Sequence, residues 1–442
     1  MTPRHVIIGS SIAGLSAAEA IRQQDASAEV TIITEESHRF YSRPGLAYLL
    51  HGDIPEKQLF ARTPEDLRKL RMTWVTAHAE KVLPEAQQVL LANGASVTYD
   101  RLLLATGSLA VAPDFPGREL AGVVKLDNLD DARKILKRAH RRRTAVVIGG
   151  GITALELVEG LRARGMKVHY LLRGARYWSN VLDETEARLV EDRLRHEGVT
   201  LHAHTQVKRA IGQRGKLSAI ETQSGETIKC DLLAVAIGVR PRLELAQSAG
   251  LQVERGILVD EFLQTSVPAI YAAGDVAQVY DPHSGRAVLD VLWSTALAQG
   301  CSAGLNVTGA KTPYLKSIAI NVTQLAGLLT TIIGAVGSGR DDDLVAISRG
   351  DSEAWRLLPP AQVIADQHEV NRVRLLIGDH SIVGACIMGD QTPVRPLYEL
   401  IAAQADITPI RSRLVSDRAA AVQHLIDFYH QWEQAKRAST NL

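Results

Sequence analysis

Two glycine-rich segments, about 140 residues apart, constrain this 442-residue chain more than anything else in it. The first, Gly9-Ser10-Ser11-Ile12-Ala13-Gly14, directly follows the apolar run Val6-Ile7-Ile8. The second, Gly149-Gly150-Gly151-Ile152-Thr153-Ala154, directly follows Ala145-Val146-Val147-Ile148. Each reads as a short β-branched strand turning sharply into an alanine- and leucine-rich helix. Glycine serves two needs there. The turn is tight, and the backbone must come close to a pyrophosphate resting on the helix N-terminus. One such loop says little; two, each in register with its strand, predict two sites for adenine dinucleotides.

Folds of this kind place an acid at the end of the second strand, about 20 residues beyond the loop, to bind ribose hydroxyls. After the first loop that strand is Val30-Thr31-Ile32-Ile33, and Glu35 (or Glu36) is the acid; Ser11 stands at the second glycine position. After the second loop the strand is Lys167 to Leu172. Leu172 stands where the acid would be, and Arg173 and Arg176 follow. An absent acid removes repulsion of a 2′-phosphate and two arginines supply attraction, so the expected reductant is NADPH, with NADH as the alternative.

A third segment ends a strand in Gly274-Asp275 and so fixes a carboxylate at a strand terminus. Leu104-Ala105-Thr106-Gly107 and Ala236-Ile237-Gly238-Val239-Arg240-Pro241 have the same strand-end character. With these five ordered motifs the chain resembles the FAD/NAD(P)-dependent pyridine nucleotide-disulfide oxidoreductase superfamily, closely over about the first 310 residues. The resemblance implies an α/β chain with two Rossmann-like, three-layer dinucleotide-binding domains, the second inserted in the first, plus a C-terminal α+β interface domain. The implied boundaries are 1–112 and 245–312 for FAD, 113–244 for NAD(P), 313–410 for the interface domain and 411–442 for a helical tail. Cofactor binding is implied for Gly9, Ser11, Ile12, Ala13, Gly14, Glu35, Arg43, Ala79, Ala105, Thr106, Gly107, Gly149, Gly151, Ile152, Ala154, Glu156, Arg173, Arg176, Gly238, Gly274, Asp275, Trp293 and Ala296. Asp275 would bind the ribityl chain and phosphate of FAD. Glu156 would lie near the nicotinamide, Arg43 near the flavin or its pyrophosphate, and Trp293 over the ring, these three forming the catalytic set. The helix that begins at Trp293 would aim its N-terminus at the negative charge of reduced flavin.

Cysteine usage narrows the branch. Disulfide reductases of this superfamily carry a Cys-x4-Cys pair on the first long helix after the FAD-binding acid. Here that region reads Phe40-Tyr41-Ser42-Arg43-Pro44-Gly45-Leu46-Ala47-Tyr48, without sulfur. Cys230, Cys301 and Cys386 are far apart in apolar surroundings and read as buried spectator thiols. The family's C-terminal His-Pro-x4-Glu pair is missing as well. Tyr41, Arg43, Pro44 and Leu46 resemble a pattern in the flavin module of NAD(P)H nitrite reductases and in rubredoxin and ferredoxin reductases. Ala47-Tyr48 stands where oxygenase-type ferredoxin reductases have Ser-Lys. No cluster-spaced cysteines or metal-ligand spacings occur, so no metal site and no unaided nitrite reduction are expected.

A net charge of +1 gives no general bias toward nucleic acid or membranes. The first strand starts almost at once, which predicts a cytoplasmic protein without signal or transit peptide. The apolar stretch from Ile318 to Val336, interrupted by Asn321, Thr323 and Gln324, predicts strands of the last domain and a homodimer interface. A helix is expected from Ser416 to about Lys436. The basic run Lys134 to Arg143 is either a docking face for an acidic ferredoxin or rubredoxin, or a solvated helix face. The leading expectation is an FAD-dependent NAD(P)H oxidoreductase that passes electrons to a protein carrier or partner redox subunit without a redox-active disulfide. Two alternatives stand: direct reduction of a quinone, metal complex or dioxygen, and a non-catalytic flavoprotein whose redox state gates binding.

Overall fold

Runs of β-branched and leucine residues pair as parallel strands because both faces of each strand are covered. In the computed structural model, which describes residues 2–337, 347–356, 360–368 and 371–440, the first such sheet centres on Arg4–Ile8. Its strand order is Ile270–Ala272, Arg101–Leu104, Arg4–Ile8, Glu29–Thr34, Thr73–Thr76. Ile8 lies between Ile33 and Leu104, so the first glycine loop leaves the sheet at its carboxyl edge. A second parallel sheet repeats the design in the order Thr200–His202, Lys167–Leu171, Thr144–Ile148, Leu232–Val235, Val123–Lys125. Ile148 lies between Leu171 and Val235, and the second loop leaves at the equivalent edge. Carboxyl ends of strands at such edges are where open α/β sheets bind ligands.

Both sheets belong to one unit, made of Met1–Arg173, Val199–Lys316 and Val345–Ser352. Within it the helix Ile152–Ala163 packs on the short helix Gly45–His51. A Cβ on Gly160 would lie 3.0 Å from that of Leu50, and Arg164 caps the short helix by donating to the carbonyls of Leu49 and Leu50. The region expected to lie beside the flavin is thus tied to the second loop's own helix.

The other unit comprises Gly174–Gly198, Ser317–Leu344 and Glu353–Leu442. Its five-stranded antiparallel sheet runs Ile320–Leu325, Leu328–Gly334, Ile382–Met388, Asn371–Ile377, Gln362–His368. Side chains including Ile333, Leu375, Ile387, Leu397, Leu414 and Leu425 form its core. The apolar stretch that suggested an intersubunit surface therefore goes largely into this unit's own core: six of the seven residues of Leu328–Gly334 are buried. The helix Glu184–His196 joins this unit through a buried ion pair, Arg374 Nε to Glu186 Oε1 at 2.8 Å. Removing one member of such a pair strands the other's charge, at a cost of about 3–5 kcal/mol. The C-terminal helix begins at Ala421 rather than Ser416. Asp417 accepts from the Ala420 amide and closes a 3₁₀ turn over Arg418–Ala420 that ends one helix before the next starts. Residues 441 and 442 of the expected tail lie outside the described residues.

Candidate active site

In the first cradle Gly9 has φ +114°, and a Cβ there would lie 2.1 Å from the Ala105 carbonyl oxygen. A Cβ on Gly14 would lie 2.0 Å from the Gly9 carbonyl oxygen. No side chain larger than hydrogen fits either place. The helix Ile12–Gln24 starts without a side-chain cap, which leaves its first amides for an anion. Across it lies the helix Trp293–Val307, packed so closely that a Cβ on Gly300 or Gly304 would meet the carbonyl oxygens of Ala13 and Ala17 at 2.3 and 2.5 Å. Gly274, with φ +81°, joins the same knot beside Ala13 and Ala296, and its amide donates to Gln299 Oε1 at 2.7 Å. Ala13, Gly14, Gly274 and Ala296 are thereby brought together. Trp293 opens the crossing helix with its ring 6.1 Å from that of Phe40.

Asp275 accepts from Ser108 Oγ at 2.6 Å, and burial holds its carboxyl above the usual range against the opposing pull of Arg349 and Arg43. Glu35 and Glu36 differ in their partners. Glu36 pairs with Arg43 and accepts from Tyr41 Oη at 2.9 Å, so it serves the Tyr41–Arg43 pattern. Glu35 sits at the strand end with Arg242 Nη1 at 2.5 Å and His78 at 3.0 Å. Burial opposes its charge, but those two partners win and hold it below the usual range. Ala79 follows His78 in the chain and is buried. Thr106 and Gly107 are bonded to the backbone of Arg242, Glu35's partner. Arg43 also donates to the Asp127 carbonyl at 2.7 Å and to Ser11 Oγ at 3.4 Å.

The second cradle repeats the turn. Gly149 has φ +143°, and a Cβ on it would lie 2.1 Å from the Ala236 carbonyl oxygen. Its helix, too, starts at Gly151–Ile152 without a side-chain cap, and the Ala154 methyl replaces the third glycine. Gly238, with φ +110°, closes the neighbouring strand end. Glu156, one turn into the helix, is half-buried and has no hydrogen bond or ion pair with a described residue. Burial, helped by Glu159 and opposed by Arg349, pushes its carboxyl up to about 8. Leu172 is buried and bonded through its backbone to His202 and Thr205. Arg173 is exposed. Arg176 donates to the Ser179 carbonyl at 3.3 Å and is grouped with the other unit, so the structure does not gather the two arginines within one unit.

Burial raises all three thiols: Cys230 to about 12, with Asp231 adding to it, and Cys301 and Cys386 in the same direction. Cys301 is only half-buried, a modest correction to the expectation. A thiol must ionise to act as a nucleophile, and at neutral pH none of these does. The basic run lies before Thr144, at the opposite end of its strand from the glycine loop, about 16 Å away for five residues. Among the described residues no cluster of His, Cys, Asp and Glu is placed to hold a metal ion, and no helix is long and apolar enough to cross a membrane.

Several residues of the site escape sequence reasoning. Gly300 and Gly304 carry a legible signal, two glycines four apart on one helix face. Gln299, Ser108 and Asp127 carry none. Arg349 donates to the carbonyls of Leu126 and Asp127 at 3.1 and 3.0 Å and pairs with the Asp127 carboxylate. It arrives from more than 200 residues away in sequence.

The family model for pyridine nucleotide-disulphide oxidoreductases matches residues 3–300. The chain is 27% identical over 426 residues to subunit epsilon of the NADH-dependent phenylglyoxylate dehydrogenase of Aromatoleum evansii, covering 96% of this chain and 97% of that one. The covalent putidaredoxin reductase–putidaredoxin complex superposes with a TM-score of 0.85 at 22% identity, over 97% of this chain and 99% of that one. An engineered water-forming NADPH oxidase bound to NADPH superposes with a TM-score of 0.81 at 22% identity, over 97% and 99%. Relative to its parent, an oxidase of Lactobacillus brevis, that enzyme has a glycine changed to alanine and, eighteen residues on, an aspartate changed to alanine beside an alanine changed to arginine.

Proposed function

The chain belongs to the pyridine nucleotide-disulphide oxidoreductase family, and on that premise we propose that it passes electrons from NADPH, by way of FAD, to a protein carrier or partner subunit. It is an oxidoreductase that uses FAD and NAD(P)H. The observation that carries the proposal is the sulfur-free stretch Phe40–Tyr48, whose Tyr41 and Arg43 join Glu36 in an ion-paired network where relatives have a thiol pair. With no dithiol to receive them, electrons leave for an external acceptor. Ferredoxin, rubredoxin and a partner redox subunit are the acceptors of choice, in line with the putidaredoxin complex and the dehydrogenase subunit that the chain resembles.

Bound in the first cradle, FAD supplies the two-electron chemistry that hydride from a nicotinamide requires. Gly9 and Gly14 would let the backbone close on its pyrophosphate, Glu35 would take ribose hydroxyls, and Asp275 would accept from the ribityl chain. The N-terminus of the helix that Trp293 opens would offer a partial positive charge to the reduced ring. Arg43 would add a cation there, its charge shared with its partner Glu36. In the second cradle Glu156, protonated at neutral pH, can donate to a nicotinamide carboxamide. NADPH is favoured because Ala154 and Arg173 match, at the corresponding spacing, two of the exchanges that distinguish the NADPH oxidase from its parent, and Leu172, eighteen residues after Ala154, likewise stands where that parent has an aspartate.

In this reading residues 1–112 and 245–312 bind FAD, 113–244 bind NAD(P)H and 313–410 mediate a cytoplasmic homodimer. Three unpaired cysteines fit a reducing compartment. Val322 and Val363, about half exposed on the two edge strands of the antiparallel sheet, support a subunit contact. Light scattering should give twice 48.0 kDa. An acceptor screen tests the function: NADPH oxidation by the FAD-loaded protein should be fast with a ferredoxin or rubredoxin and slow with dioxygen or a quinone. Equal turnover with dioxygen alone would replace the proposal with the small-acceptor reading, which the likeness to an oxidase favours.

A further inference from the structure

The segment from Ile347 to Ser352 lies across the second cradle. Its Ser348 Oγ sits 2.2 Å, and its Cβ 2.7 Å, from the point a Cβ on Gly151 would occupy. Gly151 stands at the second glycine position of the G-x-G-x-x-A pattern, where the backbone approaches a dinucleotide's pyrophosphate. A serine side chain there takes the space of a phosphate oxygen. At the equivalent position of the first cradle, Ser11 Oγ accepts from Arg43 Nε at 3.4 Å.

We propose that Ile347–Ser352 is a strap that closes the nicotinamide nucleotide site and is displaced when the dinucleotide binds. The inference rests on reading the second cradle as that site. Ser348 has no hydrogen bond to a described residue and is held in place by its neighbours. On one side the Val239 amide, next to Gly238, donates to the Ile347 carbonyl at 2.7 Å. On the other side the Gly350 amide donates to the Val291 carbonyl at 2.9 Å, and the Val291 amide to the Asp351 carbonyl at 3.0 Å. Between them Arg349 is latched to Asp127, whose carboxylate also takes Lys125.

The latch is the part a dinucleotide can work against. Arg349 lies within the electrostatic reach of both Glu156 and Asp275, so it stands where the two cradles face each other. A pyrophosphate entering beside Gly151 brings two negative charges that compete with Asp127 for the guanidinium. It also requires the volume that Ser348 fills. The open form thus gains interactions that the closed form cannot make, which is the condition for a ligand to shift the equilibrium.

Hydrogen exchange on the full-length, FAD-loaded protein, with saturating NADP+ and, separately, NAD+ as probes, tests this. The amides of residues 149–153 should slow on binding, while those of Val239, Val291 and Gly350 should exchange roughly tenfold faster as their bonds to the strap open. Slowing at 149–153 with those three amides unchanged or slower would overturn the strap and leave the cofactor reading standing. No slowing at 149–153 with either nucleotide would overturn both. Asp127→Asn provides a second test, because it weakens the latch and leaves the Arg349 guanidinium for the pyrophosphate. Loss of the latch should lower the dissociation constant for NADP+ about threefold or more, because less of the protein is closed. An unchanged or higher constant would contradict the strap.

Discussion

In the first cradle the tight glycine, Gly9, abuts the carbonyl of Ala105; in the second, Gly149 abuts that of Ala236, each at 2.1 Å from a would-be Cβ. The sheets match too, since the Ala105 and Ala236 amides donate to Ile8 and Ile148, the last residues of the central strands. Beyond the turn the two cradles diverge. One strand end carries Glu35, ionised and paired with Arg242 and His78; the other carries buried Leu172 followed by exposed Arg173. One cradle is closed by a glycine-rich helix crossing, the other by Ser348 on a segment from far along the chain. The backbone geometry of the turn is thus shared, and the side chains at the strand ends are where the two cradles differ.

The greatest change should come from substitutions that disable one cradle at a time. Gly9→Ala should yield largely colourless protein, because its Cβ collides with backbone. Gly149→Ala should stay yellow, resist reduction by NADPH and still bleach with dithionite. Loss of FAD in both variants, read from the visible absorbance, would show that the cradles do not act separately. Next in size is Arg173→Ala. A charge-assisted bond to a 2′-phosphate contributes about 1.5–3 kcal/mol, so NADPH should weaken roughly tenfold or more while NADH is nearly unaffected. Equal losses for the two nucleotides would return Arg173 to an ordinary surface role.

The acids of the two cradles respond to pH in opposite directions. Glu156 keeps its proton in the folded chain up to about 8, while the unfolded chain releases it near 4.5. Stability should therefore fall as pH rises across that interval and level off above it. Glu156→Gln removes this fall, and its Tm advantage over the parent should grow from about pH 4.5 to about pH 8. Glu35 has the opposite sign: its folded value is lowered, so its contribution is present above 4.5 and lost on acidification. Thermal melts across this range check both. The smallest effect belongs to the thiols. Replacing Cys230, Cys301 and Cys386 together by Ser should leave the number of electrons taken up per flavin unchanged, with packing losses of about 1 kcal/mol per buried site.

How legible these features were in the sequence depends on how local their causes are. Gly9, Gly149 and Gly274 take positive φ at strand ends, a local demand that the motif spacing exposed, although the groups they abut, such as the Ala105 and Ala236 carbonyls, lie far along the chain. Glu35 and Glu36 are adjacent, and only their partners, Arg242 and His78 against Arg43 and Tyr41, told them apart. The apolar run Ile318–Val336 read as strands, but its burial beneath the helices of its own unit could not be seen from its composition. Asp417 hid a 3₁₀ turn inside a helical pattern because its side chain, accepting from the Ala420 amide, rather than a breaker residue, marks the end of that helix. Arg349 and Ser348 were out of reach for a further reason. Nothing in a six-residue segment so late in the chain marks it as lying against Gly151.

Anaerobic titration of the FAD-loaded protein with NADPH is the decisive measurement. The flavin absorbance should disappear with one NADPH per FAD, with no thiolate-to-flavin charge-transfer band, and at lower concentration with NADPH than with NADH. A requirement for two NADPH per FAD would reveal a second two-electron centre such as a disulfide. A flavin that neither nucleotide reduces would contradict electron transfer from one cradle to the other altogether.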